Sequence, residues 1–205
     1  MKSDVISIYS DLTGRAEAIR EAEKFSAYHK LDKRQTMHLR LLSEESVSMV
    51  HGILNGFKGD FWLESEQTDN GLLCRICVAA DVDVDDCQED ALLEVSTSGK
   101  NEAAKGIMGK IRELFRWSMQ AQGEQVEHNN MADIWFAMGN GMPQKFPQQD
   151  YYWSLQRYRS YVTENMESDA EEWDELEKSI VSKIADEVKV GIRSGRAEVI
   201  IEKIV

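Results

Sequence analysis

The stretch Met37-His38-Leu39-Arg40-Leu41-Leu42-Ser43-Glu44-Glu45-Ser46-Val47-Ser48-Met49-Val50-His51-Gly52-Ile53-Leu54 decides how the chain is read. Leucine, valine and methionine recur at three- and four-residue spacing, the pattern of a helix packed on a core, and the run stops at Asn55-Gly56. Glu44, Ser48 and His51 stand at i, i+4 and i+7, so one polar line runs along the same helix. That line either faces solvent, as polar positions of amphipathic helices commonly do, or lines a site.

Working outward, a second helix precedes this one. Ala18, Ile19, Ala22, Phe25, Ala27 and Tyr28 recur at helical spacing from about Arg15 to His29, and Lys30-Leu31-Asp32 breaks the two apart into a hairpin. A short strand, residues 4 to 9, comes before it, and Ser10-Asp11-Leu12-Thr13-Gly14 supplies turn and capping chemistry. On the other side, residues 59 to 66 and 72 to 84 read as a β-hairpin joined through Thr68-Asp69-Asn70-Gly71. The chain ends in a helix through Ile184-Ala185 and two alternating, β-branched strands, residues 187 to 192 and 197 to 205, around Arg193-Ser194-Gly195-Arg196.

Between these halves lies a long segment. Residues 100 to 117 carry a wide apolar face, residues 118 to 150 dissolve into Gln, Asn, Gly and Met with both prolines, and Tyr151 to Tyr161 is an aromatic run with helical spacing. Those rings are either a ligand surface or, at that spacing, core. The fold class expected is α+β: an antiparallel or mixed sheet with helices packed on one face, plus a helical insertion at about 86 to 171, all within a single domain spanning 1–205.

Charge narrows the partners. The 205 residues carry 37 acidic against 24 basic side chains, a formal net charge of −13, and the overall field opposes nucleic acid and anionic membranes. No apolar run approaches the roughly 20 residues of a membrane span, and the amino-terminal residues lack the continuous apolar core of a secretory signal, so a cytoplasmic location is expected. Three cysteines, Cys74, Cys77 and Cys87, point to reduced thiols. Cys74-Arg75-Ile76-Cys77 has half the spacing of a zinc site, yet in a strand its two thiols point to opposite faces. Asp81-Val82-Asp83-Val84-Asp85-Asp86 collects carboxylates, but counting from Asp81 the sixth and twelfth places of an EF-hand loop hold Asp86 and Leu92 instead of glycine and glutamate. No metal ligand set is assigned.

The paired helices Arg15 to Gly52 and the closing helix and hairpin, Ile184 to Glu202, resemble the histidine-kinase-like ATPase (GHKL) superfamily, in particular its anti-sigma-factor serine-kinase type. The resemblance implies a Bergerat-like α/β sandwich. In that family a glutamate, four residues before a magnesium-binding asparagine, serves as base; here Glu44 and Glu45 both offer the carboxylate, but Ser48 and Met49 stand where the asparagine belongs. The family's Asp-x-Gly-x-Gly motif, whose aspartate reads adenine, corresponds to Asp81-Val82-Asp83-Val84-Asp85, which keeps the aspartate and lacks both glycines. Gly106 and Gly109 are the only candidates for the glycine-rich lid, which the family keeps in the enlarged 86 to 171 region.

The expected function is therefore a regulatory protein-binding module with nucleotide binding lost or weakened and no cofactor. Its partner would be another protein, such as a sigma-factor or anti-anti-sigma-type regulator, and homodimerisation is open. The alternative is an ATP- and magnesium-dependent serine/threonine kinase with Glu44 or Glu45 as base and Ser48, Asp81, Asp83, Gly106 and Gly109 around the nucleotide.

Overall fold

A computed structural model describes residues 1–54, 56–81, 111, 153–164, 179–193 and 196–205. In chain order the elements are β1 (Ile6–Tyr9), α1 (Arg15–Tyr28), α2 (Lys33–Ile53), β2 (Lys58–Thr68), β3 (Gly71–Asp81), β4 (Trp153–Ser154), α3 (Leu155–Glu164), α4 (Ile180–Ile184), β5 (Glu187–Arg193) and β6 (Arg196–Ile204). The strands form one sheet in the order β1-β2-β3-β6-β5-β4, and every pairing is antiparallel. The architecture is α+β, a sheet with helices against it.

The expected start of α2 is sharp because Asp32 and Gln35 close a capping box. The Gln35 backbone N–H donates to Asp32 Oδ1 at 2.8 Å, and the Asp32 N–H donates to Gln35 Oε1 at 2.9 Å. Two serines buried inside α2 have their hydroxyls satisfied within the helix: Ser43 donates to Leu39 O and Ser46 to Ser43 O. α1 begins instead at Gly14, held at φ 87°, where an added Cβ would lie 2.1 Å from Ser7 O. The turn before it doubles back on β1, with Tyr9 N–H donating to Thr13 O, so the outer edge of β1 lies under its own connection.

Register fixes which residues meet the helices. Phe61 pairs with Val78 and Leu63 with Ile76; Val78 and Ile76 pair in turn with Val199 and Ile201, which face Val190 and Val188. All eight are buried on one face, where they join Ala22 and Phe25 of α1, Leu39, Leu42 and Val50 of α2, and Leu155, Tyr158 and Val162 of α3 in one core cluster. α1 lies on β1 and β2, α2 on β3 and β6, and α3 on β5. The opposite face carries rows such as Trp62-Cys77-Ile200-Lys189.

One expectation is corrected. The aromatic run does not begin as a helix: Trp153 and Ser154 pair with Val190 and Lys189 as edge strand β4, and the helix starts at Leu155. Trp153 and Tyr158 are core, each 1% exposed with their centroids 5.9 Å apart, and Tyr161 packs partly buried against it; Tyr151 and Tyr152 lie outside the described residues. Within the expected insertion, Ile111 is buried and residues 153–164 belong to the sheet and the core; the rest of 86 to 171, including the expected helix at 100 to 117 and the segment 118 to 150, lies outside the described residues. No described helix is long and apolar enough to cross a membrane.

Candidate functional site

The polar line of α2 is directed at α1 and at the turn before it. Arg15, the first residue of α1, places Nη2 2.7 Å from Glu44 Oε1. Ser48 is exposed and donates its hydroxyl to Glu44 O at 3.0 Å. His51 Nε2 donates to Ser10 O at 2.9 Å, which requires the proton on that nitrogen, and its ring stands edge-on to Phe57. Glu45 is half-buried on the adjoining flank of the helix. Met49, four residues after it, is 4% exposed and part of the core. Glu44 thus fastens α2 to α1 and His51 fastens it to the turn before α1, whereas Ser48 is satisfied within its own helix.

Asp81 lies elsewhere. It pairs with Arg196 in the β3–β6 register, and alternation puts both side chains on the sheet face opposite Val78 and Ala80. Arg196 Nε stands 2.8 Å from Asp81 Oδ1 as an ion pair. Its Nη2 donates to Asp60 Oδ2 at 2.9 Å and to Ala79 O at 3.2 Å. The Asp60 hydrogen bond, only partly offset by burial, raises the guanidinium pKa further. Asp81 is therefore the end of an Asp60-Arg196-Asp81 clamp across three strands, on the far side of the sheet from Glu44. Asp83, Gly106 and Gly109 lie outside the described residues.

These residues do not fit a magnesium ion. The Ser48 hydroxyl is turned to a helix carbonyl, Met49 offers only a buried thioether, and among the described residues no group of three or more His, Cys, Asp or Glu could hold a metal ion. The cysteine pair is equally divided. Cys74 faces the helices opposite Ser65, whereas Cys77 faces the other way opposite Trp62, so one ion cannot bind both. Burial pushes the Cys74 thiol up to about 11 and the Cys77 thiol up to about 12, which leaves both protonated and unreactive at neutral pH.

Sequence reasoning missed the two arginines that engage the candidate carboxylates. Arg15 stands 29 positions before Glu44, with no local pattern joining them. Arg196 carried a hint, since it flanks the turn of a hairpin whose second strand had to pair with something. It also missed the extension of the sheet by the first residues of the chain: Ser3 N–H donates to Leu63 O and Ser65 N–H to Met1 O, both at 2.8 Å. Lys2 Nζ lies 4.3 Å from the centre of the Trp62 ring and 3.7 Å from Glu64 Oε1. Comparison of the chain with protein-family models, with curated proteins and with solved structures finds no match.

Proposed function

We propose that the chain is a regulatory protein-binding module built on a histidine-kinase-like ATPase fold whose nucleotide chemistry has been lost. The observation that carries this reading is the separation of the two carboxylates the family would use. Glu44 is taken by Arg15 in the helical layer, and Asp81 is taken by Arg196 on the opposite face of the sheet. A base and an adenine-reading aspartate must converge on one nucleotide, and two side chains divided by a sheet do not. The buried Met49 at the magnesium-ligand position supports the same reading. The strong acidic excess favours a protein with a basic surface as partner, such as a sigma-factor-type regulator, in the cytoplasm.

Isothermal titration tests it. ATP with magnesium is expected to give no binding in the micromolar range, and Asp81→Asn is expected to leave that result unchanged. Magnesium-dependent micromolar affinity that Asp81→Asn abolishes would replace this reading with the serine/threonine kinase one, Glu44 or Glu45 then serving as base.

A further inference from the structure

The first residues of the chain do not simply prolong β1. Ile6 pairs with Phe61 and Lys2 with Glu64, so three residues, Ser3, Asp4 and Val5, stand opposite two, Trp62 and Leu63. The extra residue is a β-bulge, which interrupts the ladder and separates Met1–Ser3 from β1 as a short strap on the edge of β2. Its attachment is polar and superficial. Ser3 N–H donates to Leu63 O, Leu63 N–H donates to the Ser3 hydroxyl at 2.9 Å, and Ser65 N–H donates to Met1 O. Lys2 adds an ammonium over Trp62 and beside Glu64, an ion pair that is 52% and 37% exposed. Met1 and Val5, the apolar side chains available to hold the strap and its bulge, are each 53% exposed. Little apolar surface opposes its release.

What the strap covers is the reverse. The β2 backbone beneath it belongs to a strand whose Leu63 is fully buried and whose other edge is paired with β3 along its length, so the edge stays in place when the strap leaves. An extended backbone needs only the N–H and C=O groups of Leu63 and Ser65 for pairing, and Trp62 with Glu64 forms a ready seat for one cation.

We propose that the strap is a displaceable strand occupying a peptide-docking edge on β2, and that the partner it stands in for is an extended segment with Lys or Arg at the register of Lys2. The chemistry of the occupant is read from the strap itself: main-chain pairing for affinity, an ammonium or guanidinium between Trp62 and Glu64 for specificity. This locates the surface on which the protein-binding role is exercised and rests on that reading. Its experiment involves no nucleotide, so its failure and an ATP-binding result remain separate outcomes.

Amide exchange on the full chain comes first. The Leu63 and Ser65 amides are expected to exchange at least about tenfold faster than those in the middle of β3, and Lys2→Glu should accelerate these two by about tenfold more while β3 is unchanged. Next, a fluorescent peptide with the sequence of residues 1–9 is added to the Lys2→Glu protein. Saturable binding is expected, weakened about tenfold or more when the peptide itself carries Glu in place of Lys, because two carboxylates then share the Trp62 seat. Leu63 and Ser65 amides as slow as those of β3 in both proteins would overturn the proposal, as would failure of the peptide to bind. A dimer that forms by exchanging straps, seen by light scattering, would also overturn it by putting a second copy in the partner's place.

Discussion

Arg15, Arg196 and His29 each act on something distant in sequence, and this limits what single residues reveal beforehand. Alternation along a strand assigned Cys74 and Cys77 to opposite faces without any structure. Nothing comparable announces that Glu44 meets Arg15, because helix-pair register depends on packing across the whole interface. His29 shows how such a contact becomes measurable. It closes α1, lies 3.0 Å from Ser65 Oγ through Nε2 and packs tilted against the Phe25 ring, and burial lowers its pKa from the usual 6.5. The unfolded chain then takes up the proton more readily than the folded one, so stability is unaffected above about pH 6.5 and declines as pH falls through the folded value. His29→Gln should flatten this decline between pH 7 and pH 5. Urea midpoints at the two pH values give the answer, and an equal drop in both proteins would clear His29 of the effect.

At the scale of elements, long periodic segments were legible and short ones were not. α1 and α2 run within a residue of their expected limits, and the Asp32–Gln35 capping box, which the reading of the sequence did not use, fixes the start of α2. The hairpin joining β2 to β3 turns through Asp69 and Asn70, with Thr68 opposite Gly71, as the Asn-Gly pair suggested. Strand β4 escaped notice because two residues cannot display a period, and Trp153 blended into the aromatic spacing of α3. What holds α3 to the sheet was also hidden. The buried carboxylate of Glu187 accepts from the Ser154 hydroxyl, from the Gln156 N–H at the first turn of α3 and from its neighbour Val188 N–H. At the other side, Arg159 donates to the carbonyls of Ser182 and Ala185 at the end of α4. Removing the carboxylate with Glu187→Ala leaves buried donors without partners and should cost ~1–3 kcal/mol. Chemical denaturation measures the loss, and a change below about 0.5 kcal/mol would place the fastening of α3 elsewhere.

For the whole molecule, the α+β class followed from the alternation of strand-like and helix-like runs, whereas the strand order did not. β3 is paired on one side with its hairpin neighbour β2 and on the other with β6, more than a hundred residues further along, and no local pattern selects that partner. Alternation sets the face on which Asp81 emerges, whereas the β3–β6 register, which decides that Arg196 stands beside it, was not legible. The central strands also tie reactivity to global stability. Ile76, fully buried between Leu63 and Ile201, anchors the interlayer core, and Ile76→Ala should cost ~2–5 kcal/mol. In a Cys87→Ser background, Ellman's reagent should reach Cys74 and Cys77 only through global opening, and much faster in the Ile76→Ala protein. Fast labelling of the unmodified core would contradict this picture of the sheet.

The β3–β6 pairing also sets a timetable for synthesis. When β2 and β3 leave the ribosome they can form their hairpin at once, but the second edge of β3, running through Leu73 to Ala80, waits until β6 is made. At ~5–20 residues per second that wait is on the order of ten seconds, far longer than a hairpin needs to form. During it the nascent chain presents an apolar strand with one unpaired edge, the kind of segment that chaperones cover and that neighbouring nascent chains capture. The centre of the sheet closes only when β6 arrives, more than a hundred residues after β3 has been made.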